Sequence, residues 1–170
     1  MAIVFLDLER TVIDTWNHAE HLEVGIEGCR LFIRTIENLE GHVQVGLMSW
    51  ACWNASEKEH FNTRMRPQLE EALGYKFTDR FIWSMDDWCQ EVFKHHRLFP
   101  SREDLFDLYK KEDVLCALVR SGHPLFLQKQ VYLVDDTIQH MLSLHSPANQ
   151  SRVTFVNIWD WCQENQITGP

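Results

Sequence analysis

Ala2-Ile3-Val4-Phe5-Leu6-Asp7-Leu8-Glu9-Arg10-Thr11 is the stretch on which the reading of the fold turns. Five apolar residues run straight into an acid. Such a run reads as a strand buried in a sheet, with Asp7 at its carboxyl end. In an open α/β sheet, ligands bind in the crevice outside the carboxyl ends of the strands. Asp7, followed two positions later by Glu9, is therefore a candidate for a site and not for the core.

Working outward, the pattern alternates strand and helix. After the loop-like run Glu9 to His21, the apolar residues Ile26, Cys29, Leu31, Phe32, Ile33, Ile36 and Leu39 give a helical face over Gly25 to Leu39, which Gly41 closes. His42 to Met48 reads as a second strand ending at Ser49-Trp50. Ser56 to Leu73 is helix-like and closed by Gly74, with Pro67 interrupting it or opening a second helix. Arg80 to Trp83 is a short third strand. Asp86 to Phe99 is amphipathic and broken by Pro100. Ser101-Arg102-Glu103-Asp104 has the form of a capping box, opening a helical stretch through Lys110, Lys111, Leu115 and Leu118. Gln130 to Asp136 is a fourth strand, Ile138 to Leu144 a short helix, and Val153 to Val156 a fifth strand. Trp159 to Glu164 closes the chain as a turn or helix. The alternation predicts an α/β fold, a doubly wound parallel sheet of about five strands. Residues 1–170 are expected to form one domain, with 50–109 as the place for a small insertion or lid.

The formal net charge of −9, with no block of Lys and Arg, disfavours a long nucleic acid as partner. Five cysteines, odd in number and without CxxC pairs, suit buried reduced thiols in a cytoplasmic protein. None of the nine histidines falls in an HExxH or zinc-finger spacing. No signal-peptide pattern opens the chain and no apolar run is long enough to span a membrane. The expectation is a soluble cytoplasmic protein without a membrane partner, its oligomeric state open. His95-His96-Arg97 reads as an exposed turn or a phosphate-reading patch. Trp50 and Trp53 stand close enough to Ser49 to wall a pocket or to serve packing alone.

Four strand ends or helix starts carry polar groups: Asp7 with Glu9, Ser49, Lys110 or Lys111, and Asp135 with Asp136. In this order the sequence resembles the haloacid dehalogenase-like superfamily of phosphotransferases. The first motif of that family, a strand ending Asp-x-Asp-x-Thr or Val, is matched by Asp7-Leu8-Glu9-Arg10-Thr11. The second, a strand ending in Ser or Thr, is matched by Val45-Gly46-Leu47-Met48-Ser49. Lys111 fits the third, and Val131-Tyr132-Leu133-Val134-Asp135-Asp136-Thr137 fits the fourth. The paired acids are similar to those of small capless members, including magnesium-dependent acid phosphatases and polymerase-tail phosphatases.

The resemblance implies a Rossmann-like core with a small cap or none. It implies a Mg²⁺-dependent phosphomonoester hydrolase working through an aspartyl-phosphate on Asp7. The metal would be held by Asp7, Asp135 and Asp136, with Glu9 contributing its backbone carbonyl. Ser49, Lys111 and Thr11 would contact the phosphoryl group, and Lys111 would neutralise charge on Asp7 and the phosphate. The partner would be a phosphorylated small molecule or a phosphoprotein. Two residues depart from the pattern. Glu9 stands where the family's acid/base Asp is found, and a reach error of about 1 Å can cost on the order of a hundredfold in rate. Arg10 stands where Gly is usual; it could bind substrate phosphate or pair with Glu9 and idle it. A catalytically weak or dead member that binds a phospho-ligand or protein partner is therefore the alternative reading. Two other folds compete. A response-regulator receiver carries its acid pair before the phosphorylated Asp, the reverse of the order here. A PIN-type metal nuclease needs neither Ser49 nor Lys111 at these places.

Overall fold

The computed structural model describes residues 1–96, 111–137 and 153–167. All five residues of β1 (Ala2–Leu6) are buried. Side chains alternate across a strand, so this one strand seeds two cores. Ala2, Val4 and Leu6 point to one face of the sheet. Ile3 and Phe5 point to the other.

The sheet has five parallel strands in the order β3-β2-β1-β4-β5. The others are β2 (Val43–Leu47), β3 (Phe77–Ile82), β4 (Gln130–Asp135) and β5 (Val153–Asn157). This is the α/β architecture expected from the alternating pattern. It differs from the 2-1-3-4-5 order of receiver folds. From β1 the chain builds β2 and β3 on one side, then returns to build β4 and β5 on the other. The order thus reverses between β1 and β4, where a crevice opens at the carboxyl edge.

Helices cover both faces. On the first lie α1 (Glu23–Glu40), α3 (Arg66–Leu73) and α6 (Ile158–Glu164). Ile26, Cys29, Phe32, Ile33 and Ile36 of α1 are buried there, as anticipated from the sequence, whereas Leu31 is half-buried and Leu39, in the last turn, is exposed. The second face is covered by α4 (Met85–His96) and α5 (Lys111–Arg120). The Phe5 ring is its centre, edge-on to Phe81, Trp88 and Phe126 at 5.9, 5.4 and 6.0 Å. Gly46 is the β2 residue opposite Phe5, and a Cβ there would come within 2.6 Å of that ring. The bulky aromatic needs its bare neighbour.

Among the described residues, the 50–109 stretch contributes β3, α4 and the helices before β3 to this scaffold. After α2 (Ala55–His60) the helix widens to a π turn over Phe61–Met65 and resumes as α3. Pro67 lies in the first turn of α3. Its missing N–H cannot continue an α-helical ladder, so the chain reopens a helix there. β3 starts three residues before the expected Arg80. As an edge strand it carries exposed Asp79 and Arg80, which hide its alternation. The capping box at Ser101–Asp104, Lys110, the Ile138–Leu144 helix and the side chains of His95-His96-Arg97 lie outside the described residues. Among those described, no helix is long and apolar enough to cross a membrane.

Candidate active site

Parallel pairing carries β1, β2 and β4 to a common edge. Leu6 is in register with Leu47 and with Val134. The residues just past these positions, Asp7, Ser49 and Asp135, therefore arrive together. Asp7 N–H donates to the Val134 carbonyl at 3.0 Å and Met48 N–H to the Leu6 carbonyl at 3.0 Å, extending the ladder to the rim. A cavity of about 380 Å³ opens there, lined by Asp7, Glu9, Arg10, Ser49, Lys111 and Asp136 among others.

The loop leaving β1 is wound tightly. The Leu8 carbonyl accepts from the N–H groups of Thr11, Val12 and Ile13. That winding brings Thr11 back over Asp7, where its hydroxyl donates to Asp7 Oδ2 at 3.1 Å. Thr11 is fully buried. It braces Asp7 and is not among the residues lining the cavity. Gly25, in the first turn of α1, abuts the Thr11 carbonyl so closely that a Cβ would collide with it. The helix can therefore press on the loop from behind.

Lys111, the first described residue of α5, reaches the floor. Its Nζ lies 2.6 Å from Asp7 Oδ1 and 2.7 Å from Asp135 Oδ2. All three groups are nearly enclosed, with 11%, 7% and 2% of their side chains exposed. Asp135 Oδ1 accepts from the backbone N–H and the hydroxyl of Thr137, both at 3.2 Å. The Asp136 carbonyl accepts from Asn157 Nδ2 at 3.2 Å, which ties the end of β4 to β5. Thr137 lines the cavity, a position the strand motif includes without marking its role.

Carboxylate oxygens of Asp7, Asp135 and Asp136 all lie within 4.8 Å of one another. Three carboxyl groups face one ammonium, so their full ionisation would leave the floor with surplus negative charge. Burial, the strongest influence, pushes Asp7 up to about 7 despite Lys111, with the Asp135 charge adding to the rise. Burial and the neighbouring Asp135 carboxylate push Asp136 up to about 6. For Asp135 burial acts upward as well, but Lys111, a hydrogen bond from the Asp136 carboxyl and the Thr137 N–H outweigh it and hold the group below its usual value. Lys111 is opposed by burial but held above the ordinary lysine range by Asp7 and Asp135. A hard divalent cation suits this donor set: it prefers oxygen ligands and would balance the surplus charge.

Glu9 also lines the cavity, but its carboxylate stands outside the cluster of three. Its Oε2 accepts from the Trp16 N–H at 2.8 Å. Nothing in the sequence marks this bond, because it depends on how the loop doubles back. Ile13 bridges Glu9 on one side and His21 on the other. The carboxylate of Asp14 accepts from the N–H groups of Thr15 and Glu20 at 2.6 and 2.8 Å, which closes the tip. These bonds carry Thr15 into the cavity wall, a position without a sequence signal.

Arg10 adopts φ +62°, a left-handed backbone conformation. For a residue with a Cβ this costs about 1 kcal/mol. Its N–H donates to the Ile13 carbonyl at 2.7 Å, and its carbonyl accepts from Trp159 Nε1 at 3.1 Å. Ser49 Oγ accepts from the Ala51 N–H at 3.3 Å, and Trp50 completes the wall beside it.

Fold and site together define a parallel α/β protein with a buried three-aspartate cluster able to hold a metal ion. No protein-family model matches the chain, nor does any curated protein or solved structure.

Proposed function

We infer that this chain is a metal-dependent phosphomonoester hydrolase or phosphotransferase of the haloacid dehalogenase-like kind, with Asp7 as nucleophile. The observation that carries the reading is the Lys111 ammonium set between Asp7 and Asp135 at the point where strand order reverses. A nuclease that cuts diesters with metals and carboxylates alone needs no such lysine. An enzyme that brings an anionic nucleophile to a phosphomonoester dianion needs local positive charge there.

Asp7, Asp135 and Asp136 would hold the ion, and Mg²⁺ fits their hard oxygens. When bound, it supplies the charge that lets an anionic phosphate approach a carboxylate. The rest falls to the chain. Thr11 fixes the Asp7 carboxylate through Oδ2, leaving the other oxygen toward Lys111. Lys111 keeps its proton, so it remains a cation beside Asp7 through the attack. Asp7 attacks phosphorus and becomes an aspartyl-phosphate as the alcohol leaves. Ser49 presents its hydroxyl from β2 to a phosphoryl oxygen. Glu9 is the carboxyl group that would give the leaving oxygen its proton and then take one from water. To do so it uses the oxygen not bound to Trp16, or lets Trp16 go. That same bond favours the second reading, a slow enzyme or a protein that binds a phospho-ligand without turning it over.

Hydrolysis of an aryl phosphate with Mg²⁺, absent in Asp7→Asn, tests the first reading. Equal turnover by Asp7→Asn removes Asp7 as nucleophile. Absent turnover by the wild-type protein, with Mg²⁺ still bound, favours the second. A faster Glu9→Asp variant would show an intact site with a misplaced acid.

A further inference from the structure

Of the two cations that line the cavity among the described residues, Lys111 is held by Asp7 and Asp135. Among the described residues the Arg10 guanidinium has no hydrogen-bond or ion-pair partner. It does not pair with Glu9, whose carboxylate takes the Trp16 N–H instead. Solvated arginines are common on surfaces, but three features set this one apart. It borders the cavity that contains Asp7. Its backbone is held on both sides, by Ile13 within the loop and by the Trp159 indole from α6. And it occupies a left-handed conformation that glycine would adopt without strain. Strain retained at a cavity rim points to a side chain that is needed there.

We propose that Arg10 is a specificity-determining residue that reads a second anionic group on the substrate, a carboxylate or another phosphate. The proposal rests on the phosphoryl site inferred above. The first anion is received at the floor by Ser49 and Lys111. The second lies at the rim, where the planar guanidinium can take two oxygens at once. Trp50, also in the cavity lining, offers an apolar face against which a connecting ring can lie. The acidic floor, with Asp135 and Asp136, would repel a second anion placed low in the cavity. That repulsion favours the rim.

The test uses phosphonates, which cannot be hydrolysed, so that binding is read whether or not the protein is an enzyme. Dissociation constants for phenylphosphonate and for its meta- and para-carboxylated forms are measured by calorimetry with Mg²⁺ present. The proteins are wild type, Arg10→Gly and Arg10→Lys, each checked for folding by circular dichroism. The carboxylate is expected to tighten wild-type binding by about tenfold in at least one isomer. The ratio should fall to about one in Arg10→Gly and lie between in Arg10→Lys, which keeps the charge but loses the fork. A ratio near one in wild type overturns the proposal. So does an undiminished ratio in Arg10→Gly, or failure of every phosphonate to bind. Turnover of phenyl phosphate, followed in parallel, reports on the hydrolase reading separately. An intact ratio without turnover sinks the hydrolase and leaves Arg10 as a ligand-reading residue, whereas turnover with a flat ratio does the reverse.

Discussion

Replacing Lys111 by Met would remove one charge and leave the shape of the site nearly unchanged, since both side chains are long and unbranched. In the wild-type protein one ammonium serves two carboxylates, at 2.6 and 2.7 Å, with only 11% of the lysine side chain exposed. Breaking a buried ion pair by deleting one partner costs about 3–5 kcal/mol, because the surviving charge is left unpaired. Asp7 keeps its bond from Thr11 and Asp135 keeps two from Thr137, so the loss should stay in that range and not double. For a chain of 170 residues this is a fall in Tm of roughly 6–20 °C. The assay is thermal and urea unfolding followed by circular dichroism, in EDTA and again in millimolar Mg²⁺. The metal should restore most of the loss by replacing the missing charge. A triple variant with Lys111→Met, Asp7→Asn and Asp135→Asn should recover stability without any metal, which separates unpaired charge from lost packing. Wild-type-like stability of Lys111→Met in EDTA, within about 1 kcal/mol, would refute the reasoning.

Gly25→Ala should destabilise by at least about 2 kcal/mol and weaken the proposed aryl-phosphate hydrolysis together, because its Cβ must displace the loop that holds Asp7; urea unfolding and kinetics on one preparation check both. Ser49→Ala should lower kcat/KM for an aryl phosphate by about a hundredfold while unfolding stability changes by about 1 kcal/mol or less, since among the described residues its hydroxyl supports the Ala51 N–H alone. Glu112, 5% exposed, is pushed up to about 7, chiefly by burial and then by the Asp135 charge. Between its unfolded value near 4.5 and about 7 the native state holds the extra proton, so stability falls as pH rises through that window. Glu112→Gln should therefore gain on wild type by about 3 kcal/mol at pH 8 and by little at pH 4.5, read from urea midpoints; a gain independent of pH would show that burial does not shift this group.

The strands and their ends were legible because burial on both faces leaves a continuous apolar run, as in Ile3–Leu6 and Leu133–Val134, and because the polar residue that follows such a run marks the edge. The face of α1 was legible for a similar reason: its 3.6-residue period is local. β3 was less so, since an edge strand mixes exposed Asp79 and Arg80 into its pattern. The bond from Thr11 to Asp7 was not legible. In the motif Thr11 stands beside the acids, but a turn closed on the Leu8 carbonyl places it beneath Asp7. Glu9 could be singled out by residue type, yet the Trp16 N–H that holds it comes from a doubled-back loop.

By itself the sequence determined the class of fold, the strand ends that carry acids, and the residue types available for a site there. Those properties follow from local periodicity and side-chain chemistry. Only the tertiary structure decided that Lys111 bridges Asp7 and Asp135, that Asp136 joins them within reach of one ion, and that Arg10 borders their cavity with its guanidinium unpartnered among the described residues. The contact between Lys111 and Asp7 spans 104 positions in the chain. It exists because parallel pairing sets Leu6 beside Val134, and because burial in a low-dielectric floor makes one ammonium between two carboxylates far stronger than the same groups would be in water.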